Sequence, residues 1–407
     1  MEYSLSKLKK ILLFIGVLIY PFQFLSINAF TSTYDISAFL ILFYGFLITF
    51  KKNSLQSTIT INRDKFLLIL TFIIIQIILF MLYPKPWYRV ASGLVWFGGL
   101  ILIFLNRKQI EIDEKKYFYL IIITLSISAV FIMLQNFSNG DSDRPRAFFS
   151  EASYAGLSLY AASAGLMACM FSVPSKKRKL IFGLASLFFF YSATLTKSLH
   201  ILTFILLLMS ISFLKINIKY FLKYFLVMLT FFTLFFLTQD DLNHYLSRFE
   251  NQEVNGGNLS MLAWMNGMSQ SISALKINPF TGLGLGSTGF FEYQSPYIEL
   301  LTNKNHEGQN KYDAYSALFR INIEMGIIFS ISLIFFIILS IKEIKHILSD
   351  KFHNANYVYL LFISVFSSVL VLGVLIKEPT YSRSFVYVGW ILFLYSIRKC
   401  NERKMAA

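Results

Sequence analysis

Long apolar runs with almost no charge alternate with short basic clusters along the whole chain, and this pattern limits what it can become. A run of about 18 or more apolar residues spans the roughly 30 Å hydrocarbon core of a bilayer as a helix. Inside lipid the backbone must satisfy its own hydrogen bonds, so such runs are helical. The short dyad alternation of an outer-membrane barrel is absent from the sequence. Only 14% of the 407 residues are charged, against about a quarter in a soluble domain. The expectation is an all-α polytopic membrane protein.

Twelve spans are expected, at 11–30, 34–50, 66–83, 90–105, 117–137, 152–173, 180–195, 198–214, 220–238, 321–341, 357–376 and 385–397. The first is read as retained rather than as a cleaved signal, because no small-residue cleavage site follows it. With the N-terminus inside, the alternate loops collect 25 of the 37 Lys and Arg and 8 of the 22 acids on the inner side, a net +17 against −2 outside. Cytoplasmic loops carry such an excess, which predicts N-in and C-in. It also explains the net charge of +15 without nucleic acid, for which no folded basic domain exists. Cys169 lies in a span and Cys400 in the basic tail, so no disulfide framework is expected.

One integrated membrane domain results, read as spans over 1–238, a large outer loop over 239–320, and the remaining spans with a cytoplasmic tail over 321–407. The outer loop is too long to be a mere connection. Within it Leu262, Met265, Met268 or Ser269, Ile272 and Leu275 recur at helical spacing, with Trp264 beside them. This predicts an amphipathic helix over 259–276, on the membrane or capping the spans, ended by Asn278-Pro279.

Charge near the outer membrane face is the strongest functional signal. Arg144 and Arg146 flank Pro145, and Glu151 opens span six, either as a helix-end carboxylate or as a group facing an outer cavity. Guanidinium forks suit phosphate. Lys197 lies between spans seven and eight, as a snorkelling turn residue or a ligand. Arg320 and Glu324 share one helix face, which fits a structural ion pair as well as a site. The run Thr281-Gly-Leu-Gly-Leu-Gly-Ser-Thr-Gly289 has no βαβ context and is no dinucleotide fingerprint. It is a turned loop or a close approach to a ligand. The five histidines show no metal-ligand spacing.

Three stretches resemble the O-antigen polymerase/ligase superfamily. Arg144-Pro-Arg-Ala-Phe-Phe-Ser-Glu-Ala-Ser-Tyr is similar to its Arg…Phe-x-Glu-Pro-Ser segment, with Ala152 where proline is common. Trp264 followed by Ile277-Asn-Pro-Phe-Thr-Gly-Leu-Gly-Leu-Gly-Ser287 resembles its Trp…Asn-Pro-x-x-Gly-x-Gly stretch. Tyr315 through Ile323-Glu-Met-Gly-Ile-Ile328 is similar to the approach to its next span. Lys197 stands where an arginine is usual, and Arg248 is the substitute for the arginine usual before the loop tryptophan. The ligases' His-Asn is replaced by Tyr312-Asp-Ala-Tyr-Ser316, which favours a Wzy-type polymerase.

The resemblance implies a glycosyltransferase of the bacterial inner membrane. It would join undecaprenyl-diphosphate-linked repeats into O-antigen or capsular polysaccharide, with no nucleotide or metal cofactor. Its partners would be the lipid-linked glycans and membrane lipids, with room for a chain-length regulator protein. It assigns diphosphate binding to Arg144, Arg146, Arg248 and Arg320, with Lys197 and Lys311 as further binding residues. Proton transfer falls to Glu151 or Asp313, and sugar stacking to Tyr293, Tyr297, Tyr312 and Tyr315. An O-antigen ligase, a lipid-linked oligosaccharide flippase and a non-catalytic scaffold are the alternatives.

Overall fold

The computed structural model describes residues 2–23, 26–29, 32–49, 51–52, 59–60, 63–139, 145–196, 259–302, 311–312, 314–349, 357–377 and 383–406. The expected spans 198–214 and 220–238 lie outside them. Helices carry the architecture: α1 (Glu2–Ile19), α2 (Ile36–Thr49), α3 (Arg63–Leu82), α4 (Trp87–Leu105), α5 (Glu114–Asn139), α6 (Ala152–Ser172), α7 (Lys176–Leu195), α8 (Leu259–Ile277), α9 (Pro296–Thr302), α10 (Ala317–Ser349), α11 (Tyr357–Lys377) and α12 (Ser384–Ala406). Two short antiparallel strand pairs join them, Ser26–Ala29 with Ser32–Asp35 and Lys51–Lys52 with Ile59–Thr60.

Among the described residues six helices are long and apolar enough to cross a membrane, and two shorter apolar helices, Ile36–Leu47 and Leu67–Leu82, stand beside them. Their surface is inverted relative to a soluble protein. Helix α3 exposes Leu68, Ile74, Ile77, Ile78 and Met81. Helix α6 is deeply buried and is rich in small and hydroxyl residues. Its Ala161, Ala162, Ser163, Ala164 and Gly165 let α7 and α11 approach closely, as small residues do between membrane helices. The Ser163 and Ser186 hydroxyls meet at 3.0 Å across the α6–α7 contact, and a side chain on Gly165 would strike the Phe362 ring.

One expectation needs correction. The first span, expected over 11–30, is a helix that starts at Glu2 and stops at Ile19. Pro21 has no N–H for a continuing helix and turns Tyr20 away from helical geometry, and the chain goes on into the strand Ser26–Ala29. The loop helix expected over 259–276 is present as α8; of its apolar stripe Met268 and Ile272 are exposed, Met265 and Leu275 are partly buried and Leu262 is buried. Ala263, Asn266, Gln270 and Ala274 are buried as well. The inward face is small and polar because a side chain on Gly267 would run into the Ala314 backbone.

Loop contacts divide between the two ends of the bundle. At one end Lys10 pairs with Glu111 at 3.2 Å, Lys65 donates to Asn106 at 2.8 Å, and Arg398 donates to the Lys108 carbonyl at 2.7 Å. At the other end Gln23 accepts from Ser150 and donates to Ser384, whose amide donates to Asp35. Trp264 of α8 donates to the Ile376 carbonyl of α11 at this same end, at 3.2 Å.

Candidate functional site

The centre of interest is a break in α10. At Gly326 the backbone reaches φ 77°, ψ −180° inside an otherwise helical run. A break frees backbone groups that lipid cannot satisfy, so another segment must. The glycine run supplies them. Leu283 N donates to the Ile323 carbonyl at 2.7 Å, Gly284 N to the Glu324 carbonyl at 3.0 Å, and Ile327 N to the Pro279 carbonyl at 2.8 Å. Gly282, Gly284, Gly286 and Gly289 all have positive φ, and residues 282–289 are buried. Only glycine enters so close: a Cβ at 282 would lie 2.7 Å from the Ile323 carbonyl oxygen.

Helix α3 and its following turn hold the other side of the run. Gln76, 2% exposed, accepts from Leu285 N at 2.7 Å, and its amide lies 3.6 Å from the Met325 sulfur. Lys85 donates to the Leu283 carbonyl. This docking places Thr288 against Glu324, whose Oε1 accepts from Thr288 at 3.1 Å and from Arg320 Nε at 3.0 Å. Glu324 is fully buried, and its Oε2 has no hydrogen-bond partner.

Cations outnumber the carboxylate. The Arg89 guanidinium lies over the rings of Tyr88, Phe290 and Tyr312, 5.3–5.9 Å from their centroids, and pairs with no carboxylate among the described residues. Lys311 lies 5.7 Å from the Tyr312 centroid, which stacks near Phe290. Lys85, Arg89, Lys311 and Arg320 thus line the docked glycine run, with Arg320 paired to the buried Glu324 and Lys85 attracted by it. Buried polar atoms without partners surround them: Arg89 Nε, Asn266 Oδ1, Gln270 Oε1, Ser287 Oγ and Asn322 Oδ1. Such atoms mark room for solvent or a polar ligand.

Burial holds the Lys85 ammonium well below its ordinary value, down to about 8, against the opposing pull of Glu324. The folded protein therefore binds fewer protons than the unfolded chain between about pH 8 and the lysine's usual 10.5. The burial penalty acts in full below that window and is relieved as pH rises through it. Anion binding has the opposite sign, because it needs the charged ammonium. An anion held by the Lys85 ammonium would lose affinity as pH rises through about 8; titration with sulfate, whose own charge is constant over this range, would show that limb, and Lys85→Met would remove it. A calorimetric series from about pH 7 to about pH 9.5 checks this.

Of the residues expected from sequence, Arg320, Lys311, Tyr312 and Tyr293 fall at this centre. Tyr293 accepts from Asn266 Nδ2 at 3.1 Å. Tyr315 follows Ala314 in a left-handed turn, φ 60° and 56°, and Tyr297 sits partly buried on α9. Arg146 is exposed at the same end and donates to the Ser150 carbonyl at 3.0 Å. Glu151 is the exposed N-cap residue of α6, and it accepts from the Ser153 hydroxyl at 3.2 Å rather than from a helix amide. Arg144, Lys197, Arg248 and Asp313 lie outside the described residues. A second cluster sits beside Arg146 and Glu151: Arg383 pairs with the buried Asp35 at 3.2 Å and lies over the Tyr154 ring.

Sequence reasoning did not single out Gln76, Lys85, Arg89 or Asp35. One signal was present for Gln76, a lone carboxamide in an apolar helix. Lys85 and Arg89 are indistinguishable from ordinary loop cations until the glycine run is docked.

The fold and site define a multi-pass membrane protein with a cationic, aromatic-walled polar centre at one end of its bundle. No protein-family model matches the chain, and no curated protein matches it.

Proposed function

We propose that the chain is a Wzy-type polymerase of the bacterial inner membrane, joining oligosaccharide repeats carried on undecaprenyl diphosphate at the outer membrane face. Twelve spans, with both termini in the cytoplasm, are part of this reading. The positive-inside count supports that topology, and so does the gathering of the lysine-rich turns at the end of the bundle opposite the site.

The observation that carries the reading is the gathering of partly buried cations at the broken helix: Lys85, Arg89, Lys311 and Arg320 beside the buried Glu324 and the docked glycine run. A leaving diphosphate develops negative charge, and preorganised donors in a water-poor site stabilise it. In the reaction an acceptor sugar hydroxyl attacks the donor's anomeric carbon. The bond from that carbon to the diphosphate oxygen breaks, and the lipid diphosphate leaves with the electron pair. The hydroxyl proton passes to a carboxylate. Glu324 is committed to Arg320 and Thr288 and serves to hold the guanidinium in place. Glu151, exposed at the head of α6, is the base in this reading. Tyr293, Tyr297 and Tyr312 offer faces for sugar rings.

The test is the purified protein in nanodiscs with the host's lipid-linked repeat, read as a ladder of polymer. Arg89→Ala and Arg320→Ala are each expected to lower the rate about a hundredfold or more. Unchanged ladders from both variants would remove the cationic clamp. Transfer of preformed polymer to lipid A-core, without chain growth, would make the protein a ligase instead.

A further inference from the structure

At the lysine-rich end of the bundle a partly open cleft of about 760 Å³ lies between α1 and the turn that leads into α5. That volume falls within the roughly 300–1,000 Å³ of small-ligand sites. One wall is cationic. Lys7, Lys10, Ile11 and Phe14 recur three and four apart, so they share one face of α1, with the lysines nearer its N-terminus and the apolar pair beyond them. The other wall is acidic, with Glu111 and Asp113, and passes through Lys116 to Tyr117.

The acidic wall is held from behind. Tyr395 of α12 donates to the Ile112 carbonyl at 3.0 Å, Ile110 is fully buried, and Asp113 accepts from Lys116 N at 3.1 Å at the head of α5. Across the cleft Lys10 meets Glu111 at 3.2 Å, and Lys116 folds back on Asp113 at 3.4 Å. Every partner in these two pairs is at least 49% exposed in its side chain. Ion pairs so exposed contribute little stability, so a ligand that offers each charge a new partner displaces them at small cost. Lys7 pairs with no carboxylate among the described residues.

The apolar half of the cleft opens onto an uncovered hydrocarbon strip of α1, where Ile11, Phe14 and Ile15 are exposed. An amphiphile fits that junction better than a free ion. The opposed signs of the two walls specify its head. A lone phosphate suits the lysines but meets two carboxylates. A quaternary ammonium has no N–H to offer them. A primary ammonium donates up to three hydrogen bonds, so a head with both a phosphate and a primary ammonium satisfies both walls. We infer that this cleft seats a phospholipid of the phosphatidylethanolamine type, with its phosphate on Lys7 and Lys10, its ammonium on Glu111 and Asp113, and its acyl chains against Ile11 and Phe14. The site lies at the opposite end of the bundle from the cationic centre and is independent of the polymerase reading.

The full chain is moved into mild detergent from nanodiscs of equal parts phosphatidylethanolamine, phosphatidylcholine and phosphatidylglycerol, and weighed by native mass spectrometry. Phosphatidylethanolamine is expected to stay bound at about tenfold the occupancy of either other lipid. A phosphatidylethanolamine with a diazirine near the head of one acyl chain is expected to label peptides covering 6–14 and 111–117. Glu111→Gln with Asp113→Asn keeps the size of both side chains and the capping oxygen at the head of α5. It is expected to bring phosphatidylglycerol up to parity with phosphatidylethanolamine. Lys7→Ala with Lys10→Ala is expected to lose the retained lipid. Equal retention of phosphatidylglycerol or phosphatidylcholine by the unaltered chain would overturn the inference, and so would label that avoids both peptides. An unchanged preference in the first variant would overturn it as well. Retention and labelling are read on the unaltered chain, so a folding defect in a variant leaves them decisive.

Discussion

Glu324→Ala is expected to destabilise the protein by about 3–5 kcal/mol and to abolish its activity. The carboxylate has no measurable exposure, pairs with Arg320 and attracts Lys85. Removing it leaves Arg320, itself only 14% exposed in its side chain, without the acceptor 3.0 Å away. It also leaves Lys85 without the attraction that opposes its loss of charge. An uncompensated buried charge is far more costly than a missing pair. The double replacement Arg320→Met with Glu324→Leu separates stability from function. It removes both charges and is expected to recover most of the lost stability, since apolar groups often replace a buried pair without penalty, while activity stays absent. Thermal melts in detergent, run beside the polymer assay, check both halves. A double variant as unstable as Glu324→Ala would mean the ion pair is not what sets the stability of this region.

The spans were legible in the sequence because apolar length is a local property. Spans read at 152–173 and 357–376 are the helices Ala152–Ser172 and Tyr357–Lys377. The first helix escaped because the apolar run continues past Pro21 while the helix does not. Arg320 and Glu324 were legible as neighbours, since four residues on one helix is local information too. What stayed hidden was pairing at a distance. The glycine run was visible as glycine, but its partner is a break at Gly326, some forty residues on, within a stretch that reads as ordinary apolar helix. Lys85 and Arg89 acquire their role only once the run joins α3 to α10. Met268 and Ile272 of the α8 stripe point outward for a related reason. In a soluble protein an apolar stripe marks the buried face, whereas beside lipid the core takes the polar one.

Gly326→Ala is expected to be strongly damaging, and Gly98→Ala to be harmless or mildly stabilising. Both glycines lie in apolar helices, and hydropathy does not tell them apart. At 326 the φ/ψ of 77°, −180° is a region that essentially only glycine occupies, at about 1–3 kcal/mol for a residue held in such a region. The new Cβ would also lie 2.5 Å from the Phe280 carbonyl carbon and 2.7 Å from Gly282 N. Those are backbone atoms, fixed by the bonds from Pro279 to Ile327 and from Ile323 to Leu283, so no side-chain rotation relieves the contact. The glycine run must therefore leave α10. Its departure exposes the Ile323 and Glu324 carbonyls and the Ile327 amide where water is scarce, at a further 1–3 kcal/mol or so for each unsatisfied group. At 98 a Cβ meets nothing within 4 Å, and replacing a mid-helix glycine by alanine stabilises by about 0.5–1 kcal/mol. Yield and melting temperature of the two variants, measured side by side in one detergent, make the comparison. Equal behaviour would show that the break in α10 and its glycine seal do not hold this end of the bundle together.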